Sequence, residues 1–148
     1  MRLRTLLALC FMASAAFCCM TAEANSKSDT VIVCPASASP LQQYAAKEIR
    51  RYVYLRTGQL LRIAGEASDM SDAIVVAREN VPAPLQATFK ELKAEEYWLK
   101  TIPCPDGRTA LLVTGGSDVA MLYAAYRFAE VLGVRFYLHG DVIPDAPI

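Results

Sequence analysis

The run GGSDVAMLYAAYRFAEVLGVRFYL, residues 115–138, constrains this chain more than any other stretch. A glycine pair closes a strand, Ser117 is placed to cap the free N–H groups of a helix, and Gly133 is placed to end it. A β-branched and aromatic run then reads as a further strand. At about 100° per residue, Met121, Leu122, Ala125, Phe128, Ala129 and Leu132 share one side of the helix Ser117–Leu132 and should pack on a sheet. Val119, Tyr123 and Tyr126 gather on the opposite side, with Arg127 and Glu130 beside them. A helix laid on a single sheet should show water a polar back. An aromatic back with a charged rim has the make-up of a contact surface, so these five residues are the candidates for contact with another domain. Amphipathic tyrosines that simply tolerate water give the same pattern, and the sequence leaves both readings open.

The rest of the chain supplies the sheet. Thr30–Cys34 (TVIVC) is a short β-branched run, expected to be a buried strand. A helix follows with both ends marked: Ser39 to cap it, Pro40 in the first turn and Gly58 for a left-handed stop. Its inner stripe should be Leu41, Tyr44, Ala45, Ile49, Tyr52 and Val53, with Lys47, Arg50, Arg51 and Arg56 turned to water. Leu60–Ala64 and Ala73–Ala77 read as two more strands around the polar loop Gly65–Asp72, and Leu85–Lys93 as room for a short helix. EEYWLKTI and TALLVTGG, separated by prolines and an Asp106-Gly107 turn, predict a hairpin with a long loop. Val134–Leu138 is the last strand expected. Hairpin and helical crossovers together imply an α/β fold of the α+β sandwich kind: a mixed sheet of five to six strands packed by two main helices. Residues 30–140 are expected to form one domain, and 141–148 the start of a linker.

Ahead of that domain, Arg2 and Arg4, an apolar stretch from Leu6 to Phe17 and a T-A-E-A site before Asn25 have the layout of a signal peptide over residues 1–24. The apolar stretch is too short to span a bilayer as a helix. Export to the periplasm or the medium is expected, with no membrane attachment after cleavage. Cleavage removes two of the 15 basic and one of the 15 acidic side chains, leaving a near-neutral protein with no footprint for nucleic acid. It also leaves Cys34 and Cys104, which an oxidising compartment would allow to pair, or which stay as core thiols. Neither cysteine has a second ligand at metal spacing, and no metal or cofactor site is expected.

Three motifs bear on chemistry. LLVTGGSDVA sets backbone N–H groups and Ser117 at a helix start, where anions bind, but its spacing fits no phosphate-binding loop. A tight turn with a serine cap explains it as well. Tyr97 and Trp98 lie on opposite faces of one strand, so at most one is free to stack on a sugar ring. Arg135, His139 and Asp141 lie at or just past the last strand, where loops carry sites. They are candidates for the rim of a cleft, although a lone histidine beside a carboxylate is weak ground for acid–base work. No catalytic residue is assigned.

The segment GGSDVAMLYAAYRFAEVLGVRFYLHGDVIP resembles the N-terminal accessory domain of secreted glycoside hydrolases of the bacterial β-N-acetylhexosaminidase and xylan α-glucuronidase type. The matching features are Gly115-Gly116, Tyr123–Gly133, Val134–Tyr137 and Asp141–Pro144, and YAAKEIRRYVYLRTG matches the earlier helix of those domains. His139-Gly140 departs from the family's usual proline-led pair, which leaves the subfamily open. The resemblance implies the fold of the hexosaminidase second domain. It also implies a partner, a C-terminal (β/α)8 catalytic domain of the same polypeptide, through which the protein would meet polysaccharide. Catalytic carboxylates of those enzymes sit on the barrel, so none is carried onto this chain, which is expected to be an inactive fragment. A carbohydrate-binding module working through Tyr97 or Trp98 is the alternative.

Overall fold

The computed structural model describes residues 30–66, 72–79, 81–86, 91–104, 107–146 and 148. The expected signal peptide, most of the Gly65–Asp72 loop, residues 87–90 and the Pro105-Asp106 turn lie outside the described residues. In chain order the elements are β1 (Val31–Val33), α1 (Pro40–Thr57), β2 (Arg62–Ala64), β3 (Ile74–Val76), α2 (Ala83–Gln86), β4 (Tyr97–Pro103) and β5 (Thr109–Gly115). Helix α3 (Asp118–Val131) and strands β6 (Arg135–Tyr137) and β7 (Gly140–Val142) complete the chain.

Both main helices stop and start where their end residues dictate. Ser39 Oγ accepts from Gln42 N–H at 3.2 Å, and Gly58 sits at φ 73° with its N–H on Tyr54 O. Ser117 Oγ accepts from Ala120 N–H at 3.2 Å, and Gly133, at φ 94°, turns the chain out of α3.

The sheet runs β2-β1-β3-β5-β4, with β4 antiparallel on one edge and the other four parallel. It is the expected mixed sheet, with five strands. Register places Ile32, Ile63, Ile74 and Leu111 in one row across four strands, while Val33, Val75 and Leu112 point the other way. The first row meets both helices: Ala45, Ala46, Ile49 and Val53 of α1 and Met121, Ala124, Ala125 and Phe128 of α3 close one core. The alanines on the two helices let them lie side by side on that face. The second row meets Val81, Leu85, Ile102 and Cys104 in a separate core. Parallel strands buried on both faces explain why β1 and β3 carry an unbroken β-branched run.

The last strand departs from expectation. β6 joins no edge of the main sheet but pairs with β7 in a small hairpin, Phe136 opposite Asp141. After Gly133 the chain folds over the helices, and Phe136 packs edge-on against Tyr52 and Tyr126 at 5.7 and 5.2 Å between ring centroids. Together with Ala129, Val134 and Ile143 these rings form a third apolar cluster that fixes the hairpin root. The expected boundary between residues 140 and 141 falls inside this hairpin.

Helix α1 is also turned from its expected setting. Leu41 and Tyr44, assigned to the inner stripe, are exposed, and Arg56, assigned to water, is only 5% exposed. Gln42 occupies the inner position instead, its Nε2 donating to Val76 O at 2.9 Å. Arg56 is held by partners far along the chain. Its Nε donates to Leu132 O (2.7 Å), the end of α3, and its guanidinium also reaches Pro144 O (2.8 Å) and Ala146 O (2.5 Å). Ile148 N–H returns a bond to Arg56 O. A side chain on Gly133 would crowd Pro144 Cγ, at 3.3 Å, so the glycine serves both the turn and the fit of this strap.

Candidate functional site

The glycine pair is explained by packing. A β-carbon on Gly115 would overlap Met121 N and one on Gly116 would overlap Lys93 O, because the 92–96 segment lies directly across the start of α3. Gly116 N–H donates to Glu96 O (2.9 Å), and Ser117 Oγ–H donates to Ala94 O (2.6 Å) while capping the helix. The N–H groups an anion would need are thus engaged or covered, and the turn-and-cap reading holds.

Beyond this closed corner, the outer flank of α3 is open. Val119 and Tyr123 are about half exposed and, with Ala94, Glu95, Ser117 and Ala120, border a hollow of about 520 Å³. Arg127 and Glu130 pair with each other at 2.8 Å on the same flank. Tyr126 leaves the group. Its ring leans on Phe136, and burial, then the nearby Glu48 charge and Tyr44, push its hydroxyl pKa up to about 12. Four of the five predicted contact residues therefore share a free surface, and the fifth binds the hairpin to the helices.

Alternation on β4 separates Tyr97 from Trp98 as the sequence predicts. Tyr97 faces the α3 side at 39% exposure; Trp98 is half-buried on the other side with the Lys100 ammonium 5.2 Å from its ring centroid. Only Tyr97 offers an unobstructed edge.

The structure does not bring Arg135, His139 and Asp141 together. Asp141 points inward with Phe136. It accepts from the Tyr52 hydroxyl at 2.6 Å and pairs with Arg51 at 3.3 Å. Burial and this carboxylate acceptor both raise the Tyr52 pKa. Asp141 is therefore a tie between hairpin and α1. Arg135 donates to the Glu130 and Val134 carbonyls, and His139 stacks on Tyr137 at 5.5 Å and 9°. Sequence reasoning missed the tie because Tyr52 and Asp141 are 89 residues apart.

A second depression, about 220 Å³, opens at the carboxyl ends of β1 and β3, where chain direction diverges and α/β folds often take ligands. Arg78 dominates it but is neutralised by Glu79 (2.9 Å) and Asp118 (3.0 Å), which pins the β3 loop to the start of α3. Cys34 and Cys104 are buried free thiols in cores on opposite faces of the sheet, so they do not pair. Burial raises the Cys34 pKa and keeps its thiol protonated. Among the described residues no three His, Cys, Asp or Glu side chains gather as a metal site, and no helix is long and apolar enough to cross a membrane.

Comparison with known proteins places these features. The family model described as "Glycosyl hydrolase family 67 N-terminus" matches residues 16–128. The β6–β7 hairpin and tail lie beyond that match. A solved family GH115 4-O-methyl-α-glucuronidase, BtGH115A, with specificity for decorated arabinogalactans, is similar in fold at a TM-score of 0.51. It is 16% identical over 72% of this chain, and the match spans 14% of the glucuronidase. No curated protein matches the sequence.

Proposed function

The chain belongs to the glycosyl hydrolase family 67 N-terminus family, and from that premise we propose that it is the non-catalytic N-terminal domain of a secreted α-glucuronidase-type enzyme. A (β/α)8 catalytic domain of the same polypeptide would carry out acid–base hydrolysis of the glycosidic bond with its own carboxylates. This domain would pack on it through the open flank of α3. The family match carries the reading. It is supported by the 14% share of the glucuronidase that the fold accounts for, which leaves the chemistry to the remainder. The flank suits such a contact: an apolar and aromatic centre at Val119 and Tyr123, a charged pair at its rim, and a hollow beside it. The test is hydrolysis of a chromogenic α-glucuronide by purified residues 25–148. No turnover is expected, and turnover that survives repurification would overturn the proposal.

The exposed edge of Tyr97 favours a second reading, in which the domain also touches polysaccharide. Retention on insoluble glucuronoxylan, abolished by Tyr97→Ala and kept by Trp98→Ala, would support it; free passage would remove it.

A further inference from the structure

The tip of the β6–β7 hairpin carries an apolar group that the fold does not use. Leu138 is fully exposed at the head of a two-residue connection between Tyr137 and Gly140. Gly140, at φ 131°, supplies the unusual backbone of the turn, so position 138 is free to be polar, as turn residues commonly are. Tyr137 and Val142 flank it and are each about half exposed.

This apolar tip stands on a rigid stalk. Phe136 is wedged between the Tyr52 and Tyr126 rings, Asp141 is tied to Tyr52 and Arg51, and Arg56 straps Pro144 and Ala146 just beyond. Tyr137 is steadied by its stack on His139. A hydrophobic tip already fixed in place loses little conformational entropy on docking, which is what a contact site needs.

The strap also limits what can cover the tip. Past β7 the backbone is held against α1 by Arg56, so polypeptide that continues beyond this chain starts at the root of the hairpin. We propose that the Tyr137-Leu138 tip seats in an apolar hollow of the catalytic domain that follows in the same polypeptide. The hairpin is then a second contact, beside the α3 flank, that fixes the orientation of the two domains. This inference rests on the reading above that such a domain follows.

The test uses the mature continuous polypeptide with a single added cysteine at the tip, Leu138→Cys, or on the far side of α1, Lys47→Cys, labelled with a maleimide; native Cys34 and Cys104 are buried. The tip cysteine should react about tenfold or more slowly than the control, as a position shut out of water in an interface does. Equal rates overturn the proposal. Slowing that disappears on dilution shows a second copy as the occupant, and slowing that needs added soluble glucuronoxylan shows a carbohydrate contact; either also overturns it. Leu138→Ser touches no described partner, and it should leave the protein folded while releasing the tip contact, seen as faster hydrogen exchange across residues 135–142. A reading frame that closes without a catalytic domain removes the underlying reading as well, and is distinguished by being read from DNA rather than from labelling.

Discussion

Arg56→Met tests whether one buried cation organises the C-terminal third of the fold. The substitution keeps most of the apolar stem but removes the bonds to Leu132 O, Pro144 O and Ala146 O. Hydrogen bonds from a charged donor contribute about 1.5–3 kcal/mol each. Three of them, less the desolvation cost that the buried guanidinium no longer bears, give a net loss of about 3 kcal/mol. With a urea slope of about 1.5 kcal/mol/M, the unfolding midpoint should fall by about 2 M. Trp98, the sole tryptophan, sits on β4 away from the substitution and reports unfolding by fluorescence. Arg56→Lys should recover less than half of the loss, because an ammonium lacks the planar fork that spans three carbonyls. Hydrogen exchange at residues 132–148 should quicken before the sheet does. A midpoint change below about 0.5 M, or full rescue by lysine, would refute the strap as described.

Other consequences follow from the same contacts. Gly116→Ala forces a methyl into Lys93 O and should cost about 3 kcal/mol or more by the same urea assay; a loss under 1 would show that the 92–96 segment yields freely. Thr114 Oγ1 is buried without a partner among the described residues, so Thr114→Val should raise stability by about 1 kcal/mol, and a clear loss would mean the hydroxyl is satisfied. Tyr52 and Tyr126 both hold their protons more tightly when folded than at the ordinary value of 10.0. Their contribution is fully present below pH 10 and is lost as pH rises toward and past about 12, because the folded state then binds more protons than the unfolded one. A urea midpoint that stays flat from pH 9 to 11.5, or falls as steeply in Tyr126→Phe, would contradict this.

How much of this was legible depends on how far apart the partners are. Ser39, Pro40, Gly58, Ser117 and Gly133 act on residues within a turn of themselves, and each fulfils its expected role. The β-branched runs announce buried strands for the same reason. The settings of Arg56 and Asp141 are decided by groups 76–90 residues away, which helical spacing cannot see. Spacing put Leu41 and Tyr44 inside because it assumes a helix covered along its whole length, whereas the core takes Gln42, Ala45 and Ala46 and leaves that edge of the first turns open. The α3 flank was legible because a two-sided apolar helix is visible in any window. The hairpin tip was not, since β6 and β7 are three residues each and were read as one strand and a tail.

Calorimetry of the continuous polypeptide, with and without the paired changes Val119→Ser and Tyr123→Ser, tests the claim that this domain packs on a catalytic partner. A packed pair should unfold in one shared transition that separates into two when the flank is made polar. Two independent transitions from the outset, unmoved by those changes, would contradict it.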